Sequence, residues 1–260
     1  MEQRSGAAGR YDAAARAALV MPGSRRIQVH GHRGARAVLP ENTIPAFQYA
    51  IEAGVDAIEM DLAVTKDNAI VISHDPVLQT GSAIREMTLA QVREDTNLPT
   101  LDEVLSLSTQ GSFDYNLETK SFADKPWYTP SPEEFAGLVM EQIHKHGLEK
   151  RVTLLSFDFR ILAAVRTMAP EIRRSALMHF DLRAFDKIAQ DGAQAQIVSP
   201  HYRLVTRKKV QAAHAAGIQV AAWTVNTPAG WDKMIAADVD AIVSDDPAAL
   251  IAYLNARFIS

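Results

Sequence analysis

Glu59 and Asp61 stand two residues apart in the apolar run AIEMDL. On a β-strand that spacing sends both side chains to the same face. Glu118 and Lys120 repeat the spacing at the end of YNLETK. Read alone, the second pair is a satisfied Glu–Lys contact at a strand end; taken with the first, it crowds three carboxylates into one pocket. Two unit charges about 4 Å apart repel by roughly 4 kcal/mol at an effective dielectric of 20. Such a trio needs a cation or raised pKa values. The chain has no cysteine, so oxygen ligation points to one hard divalent ion, Mg2+ or Ca2+, and not to structural zinc.

Two histidines fall at strand ends around these carboxylates: His32 in HGHRGARAVLPENT (30–43) and His74 in SHDP (73–76). Together they suit a general acid and a general base near neutral pH. Either one alone reads as an ordinary polar residue, so the functional reading rests on the pair. Arg33 and Lys120 add fixed positive charge suited to a phosphate, Arg through its bidentate fork. Gly34 lets the backbone turn closely beside them. PENT (40–43) reads equally as a helix start, with Asn42 or Thr43 as the cap, while Glu41 is placed to contact Arg33 or a histidine.

The elements that must position these groups are visible as short β-branched runs alternating with amphipathic segments. Strands are expected at 26–31, 57–62, 113–118, 152–157, 174–178, 195–199, 218–223 and 240–244. Helices are expected over IPAFQYAIEAG, TLDEVLSLST, SPEEFAGLVMEQIHKHG, FRILAAVRTMAP and KKVQAAHAAG, several of them ending in Gly or followed by Pro. Eight β-then-α units in about 235 residues, with no linker between them, predict a single TIM-type (β/α)8 barrel over 26–260. In that fold, inward carboxylates at the C-terminal end of a strand belong to the mouth. A doubly wound open sheet is the alternative, weakened by the lack of G-x-G-x-x-G after the first strand. AIEMDLAVTKDNAIVISHD alternates, turns at Lys66-Asp67-Asn68 and alternates again, which predicts a β-hairpin after strand 2. Pairing Thr65 with Ile70 places Asp61 opposite His74.

Bulk properties exclude other classes. A net charge of −4 with dispersed Lys and Arg gives no electrostatic footprint for nucleic acid. No segment approaches the roughly 20 apolar residues of a membrane-spanning helix, so no stable membrane insertion is expected. Residues 1–25 are read as an extension outside the core, disordered or in part a cloning remnant, and too polar for a secretion segment. A soluble protein of cytoplasm, periplasm or the exterior fits equally, since a removed signal peptide leaves no trace. The sequence sets no oligomeric state.

These motifs together resemble the glycerophosphodiester phosphodiesterase family. GHRGA (31–35), PENT (40–43), IEMDLAVTKD (58–67), SHDP (73–76), NLETK (116–120), LLSFD (154–158), AAWTVN (221–226) and AIVSDDP (241–247) run in family order across nearly all of 28–250. The resemblance implies a TIM-type barrel that hydrolyses glycerophosphodiesters to glycerol 3-phosphate and an alcohol such as choline or ethanolamine, a phosphoric diester hydrolase. Carried onto this chain, it makes Glu59, Asp61 and Glu118 the ligands of one divalent cation. His32 and His74 become the acid/base pair, and Arg33 and Lys120 the phosphate-binding groups. Ser73 stands where a second His often precedes HD, and the connection 77–100 is short, which leaves head-group preference open. Phe122, Trp127, Tyr128 and Trp223 are available as an apolar wall at the mouth.

Three rivals remain. His30-Gly31-His32 resembles the H-x-H of metal-dependent amidohydrolases, with His179, His201 and Asp245 near their ligand positions. That reading lacks a bridging Lys or Glu at Ser156-Phe157 and leaves Glu59, Asp61, His74 and Glu118 unexplained. A phospholipase D-like lyase of similar barrel type would act on lysophospholipid or sphingomyelin. A non-catalytic binding barrel should lack one of the histidines or carboxylates, and none is lacking.

Overall fold

The computed structural model describes residues 26–122 and 124–258. The extension expected at 1–25 and the last two residues of the expected barrel lie outside that range. In chain order the elements are β1 (Gln28–Gly31), α1 (Ile44–Ala53), β2 (Ala57–Val64), β3 (Ile70–Ile72), α2 (Leu89–Asp95), α3 (Leu101–Leu105) and β4 (Asp114–Thr119). They continue with α4 (Pro132–His146), β5 (Val152–Ser156), α5 (Phe159–Met168), β6 (Arg173–Met178), α6 (Phe185–Asp191) and β7 (Ile197–Pro200). The last are α7 (Arg207–Ala215), β8 (Gln219–Ala222), α8 (Pro228–Ala237), β9 (Ala241–Ser244) and α9 (Pro247–Phe258).

Eight strands run parallel, and β1 pairs with both β2 and β9, so the sheet closes on itself. This is the predicted TIM-type barrel, and closure rules out the open doubly wound sheet. The alternation within β2 shows how sequence drives the geometry. Ile58, Met60 and Leu62 are fully buried in the apolar layer shared with the helices, which turns Glu59 and Asp61 to the barrel interior. The helices begin where the side chains dictate. Thr43 caps α1 by accepting from the Ala46 N–H, Ser131 caps α4 by accepting from Glu134 N–H, and Gly54 and Gly147 close those helices in the left-handed region. On α1, the buried face is Ala46, Phe47 and Ala50. Truncating Phe47 to Ala would cost roughly 3–5 kcal/mol.

The hairpin forms, with a register one residue away from the expected one. Leu62 pairs with Ile72 and Val64 with Ile70, so Asp61 lies opposite Ser73, whose N–H donates to Asp61 O at 2.9 Å. The loop is three residues long instead of four because Asn68 takes φ 64°, a left-handed position that Asn tolerates. Thr65 locks it, its Oγ1 accepting from Ala69 N–H at 3.0 Å. His74 therefore lies one residue beyond the position facing Asp61.

Candidate active site

The turn after β1 is built by its two glycines. A Cβ at Gly31 would stand 2.3 Å from Gly34 O, and one at Gly34, where φ is +85°, would stand 2.7 Å from the Ala46 backbone. The chain can thus fold tightly onto α1, which aims the backbone N–H of Arg33 at Glu59 Oε2, 2.8 Å away. Arg33 reaches back along the same turn: its Nη1 donates to Glu41 Oε1 at 2.8 Å, and its Nε lies 3.1 Å from Asp61 Oδ2. Arg36 holds the other Glu41 oxygen at 2.7 Å.

Register places the carboxylates side by side. Asp61 on β2 pairs with Glu118 on β4, and oxygens of Glu59, Asp61 and Glu118 all lie within 4.8 Å of one another. All three residues are buried. Lys120, just beyond β4, sends Nζ to within 2.5 Å of Glu118 Oε1 and 2.9 Å of Asp61 Oδ1. Burial pushes the Glu59 carboxyl up to about 7, with Asp61 adding to the effect. Glu118 is also pushed up by burial, which outweighs Lys120. Asp61 is held below the usual carboxylate range although burial opposes it, because Lys120 and Arg33 both attract its charge. The spacing, the all-oxygen donor set and a buried Asp61 Oδ1 with no aligned hydrogen bond fit a hard divalent cation. This triad can bind a metal.

His32 and His74 flank the triad. His32 Nε2 is 4.0 Å from Glu59 Oε2, while its Nδ1 is 2.5 Å from Asp245 Oδ1 at the end of β9. Burial alone would lower the His32 pKa; the Asp245 bond and the Glu59 charge raise it. His74 contacts Asp75 through Nδ1 at 2.8 Å. A cavity of about 340 Å3 opens between these groups, with His32, Arg33, Glu59, His74, Glu118 and Lys120 on one side and Leu155, Phe157, Leu177, His179, Trp223 and Val243 on the other. Trp223 is held by its Nε1–H, which donates to Ser199 O at 2.7 Å. The other three aromatics expected at the mouth are placed differently: Phe122 and Trp127 both pack on Tyr128, away from the cavity lining. His30 lies outside the cavity as well. Its Nδ1 accepts from Asn116 at 2.9 Å and its Nε2 bonds Gln28 at 3.1 Å, so both ring nitrogens are engaged and the H-x-H ligand pair is not formed.

The model of the glycerophosphoryl diester phosphodiesterase family matches residues 32–249. The chain belongs to that family. A glycerophosphodiester phosphodiesterase of Caldanaerobacter subterraneus is 30% identical over 239 residues, covering 86% of this chain and 96% of its own. A crystal structure from Silicibacter pomeroyi is 28% identical, with a TM-score of 0.81 over 92% of this chain and 96% of that one. The barrel is also shared with an Oleispira antarctica phosphodiesterase, solved with sn-glycerol 3-phosphate, at 24% identity, TM-score 0.78, and 88% and 96% coverage. Like its family, the protein is a phosphoric diester hydrolase.

Two parts of this phosphodiesterase's site escape a reading of the sequence. Asn42 is no helix cap: at φ 58° and 2% exposure, its Nδ2 donates to Asp61 Oδ2 at 2.8 Å. Its place beside the cap Thr43 disguised it. Asp245 faces His32 and is itself held by Asn226, whose Nδ2 donates to Asp245 Oδ2 at 2.6 Å. In the sequence Asp245 stands out only within AIVSDDP and near a ligand position of the amidohydrolase rival, and 213 positions separate it from His32.

Proposed function

We propose that the protein hydrolyses glycerophosphodiesters, glycerophosphocholine and glycerophosphoethanolamine among them, to glycerol 3-phosphate and the free alcohol. Glu59, Asp61 and Glu118 would hold one divalent cation, Mg2+ or Ca2+. When bound, that ion withdraws charge from the phosphate oxygens and favours attack at phosphorus. The observation that carries the reading is one cavity lined by two histidines, two fixed cations and Glu59 and Glu118 of the carboxylate triad, with Asp61 buried beside them, within a chain of this family.

The protein's own groups divide the remaining labour. Lys120 and Arg33 supply positive charge where the phosphate must lie, Arg33 kept in place by Glu41. His32 donates its Nδ1 proton to the Asp245 carboxylate, which fixes the tautomer and leaves Nε2 facing the cavity for proton transfer. His74, at the other edge, exchanges the second proton. One histidine deprotonates the nucleophile while the other protonates the departing alcohol oxygen.

The test is release of glycerol 3-phosphate from glycerophosphocholine, before and after chelation, followed by Mg2+ or Ca2+ add-back. Release that stops with chelator and returns with one ion supports the reading. No release from any glycerophosphodiester defeats it, and release unaffected by chelator removes the cation from it.

A further inference from the structure

The exposed apolar side chains of this protein gather at one end of the barrel. Among the described residues, six large ones stand in water: Val38, Trp127, Phe157, Phe180, Leu182 and Met168. The first five lie in connections that leave the C-terminal end of a barrel strand, where the cavity opens. Met168 is the exception, closing α5 at the far end. Singly scattered residues of this kind need no explanation, but a set on one face marks a contact surface. Phe180 and Leu182 stand out most, 80% and 76% exposed on the loop between β6 and α6. Neither lines the cavity, so substrate binding there does not account for them.

Cations surround that loop. Phe180 packs on His179, 3.9 Å between ring centroids, and His179 meets His201 at 5.3 Å. Just beyond His201, Arg203 and Lys233 approach the Tyr202 ring at 5.8 and 5.9 Å. Lys209 lies 5.3 Å from the Phe185 ring and also acts on Asp181, whose carboxyl is held low by Arg183 and, to a smaller degree, by Lys209. Arg207 and Lys208 precede Lys209 in the first turn of α7, which holds no acid. Cations at a helix start oppose the macrodipole, so helix stability does not explain these three. Among the described residues, Arg203, Arg207, Lys208, Lys209 and Lys233 form no ion pair, whereas Arg183 is matched by Asp181 and Asp191. In a chain of net charge −4 that is a local excess of positive charge.

Apolar tips ringed by cations, spread over several loops at one end, fit a flat partner with an anionic surface and an apolar interior. We propose that the protein docks mouth first on an anionic lipid bilayer. Phe180 and Leu182 enter the headgroup layer, and the five cations meet lipid phosphates. The opposite edge of the mouth, at the hairpin, carries Asp75, 77% exposed on its side chain, and the exposed Asp95. Those charges are repelled, so the barrel tilts onto its β6–β8 side. The contact is superficial, with the protein lying on the bilayer. It concerns where the protein sits and does not rest on the phosphodiesterase reading above.

The experiment sediments the full chain with vesicles of phosphatidylcholine alone and of phosphatidylcholine mixed with phosphatidylglycerol, at low salt and at salt that screens surface charge. Binding should be at least about tenfold tighter on the mixed vesicles and should fade as salt rises. Each cation near an anionic surface is worth roughly fivefold, so the double variant Arg203→Gln, Lys208→Gln should weaken partitioning about 25-fold. The double variant Phe180→Ser, Leu182→Ser should weaken it at least about tenfold through lost apolar burial. Both should keep the wild-type melting temperature, since the changed side chains are exposed. A Phe180→Trp variant gives a second readout: its added fluorescence should be quenched by brominated acyl chains in the mixed vesicles. No binding to mixed vesicles overturns the proposal, as does binding that either double variant leaves unchanged. Loss with the charges but not with Phe180 and Leu182 would mark a surface for soluble polyanions. A dimer in vesicle-free solution that the serine variant dissolves would also overturn it, assigning the face to a second copy of the chain.

Discussion

Asp245 Oδ1 stands 2.5 Å from His32 Nδ1, joining the end of the last barrel strand to the turn after the first. The carboxylate is held below its ordinary pKa: burial opposes this, but the His32 bond and charge outweigh it. It is ionised at neutral pH, and in the proposed mechanism it accepts the Nδ1 proton and so sets which ring nitrogen faces the substrate. Asp245→Ala should lower kcat by about 10²-fold or more with little change in KM, as expected for a group acting through the proton-transfer residue. Asn226→Ala, one bond further out, should cost less. Steady-state kinetics on both variants check the order, and a KM-dominated loss for Asp245→Ala would assign it to substrate binding instead.

The two histidines should respond differently to removal. His74 is 38% exposed on its side chain and contacts the open Asp75 carboxylate, so His74→Ala should leave stability within about 0.5 kcal/mol of wild type. His32 is 12% exposed and anchors the half-buried Asp245 carboxylate; His32→Ala should lower the melting temperature as well. Both should lower phosphodiester turnover by at least about 10²-fold. Activity and thermal melts on the same preparations separate the effects, and near-normal turnover in either variant sinks its catalytic assignment.

Divalent cation binding should be visible without any substrate. If the triad takes Mg2+ or Ca2+, an ion at 100 times its dissociation constant adds about 2.7 kcal/mol to stability, a rise in melting temperature that chelator reverses. Asp61→Ala should weaken that affinity. It also leaves Lys120 and Arg33 without the buried carboxylate between them, a loss on the order of 3–5 kcal/mol. Asp61→Asn keeps the shape and separates the two effects, and cation affinity unchanged in both variants would remove Asp61 from the ligand set.

Eight barrel strands were legible because their outward faces are apolar, and strand spacing of two was enough to send Glu59 and Asp61 inward together. The hairpin register was not legible, because it depends on one residue, Asn68, adopting a left-handed conformation that shortens the loop. Asn42 was hidden by a local rule: an Asn beside a Thr at a helix start satisfies the capping pattern, while its partner Asp61 lies 19 residues on. His32–Asp245 depends on barrel closure, which brings the first and last strands together and has no local signature. Trp223 reached the cavity wall while Phe122, Trp127 and Tyr128 satisfied one another, a choice made by loop packing.

His30 gives a stability signal whose sign can be worked out. It is 7% exposed, and burial holds its pKa down to about 4, with Asp56 opposing and Arg173 assisting. Asn116 donates to Nδ1 at 2.9 Å, a contact that only the unprotonated nitrogen can accept. In the unfolded chain the ring titrates near 6.5. Above that pH neither state holds the extra proton, and His30 contributes no pH dependence. Between 6.5 and about 4 only the unfolded chain takes it up, so stability falls as pH falls, by up to roughly 3 kcal/mol. Below about 4 both states are protonated and the loss is complete. His32 acts in the opposite sense, its raised pKa adding stability that is lost as pH rises. The comparison therefore needs a variant: His30→Gln should lose less stability than wild type between pH 7.5 and 4.5, measured by urea unfolding. Equal losses in the two proteins would mean that His30 does not remain neutral in the fold.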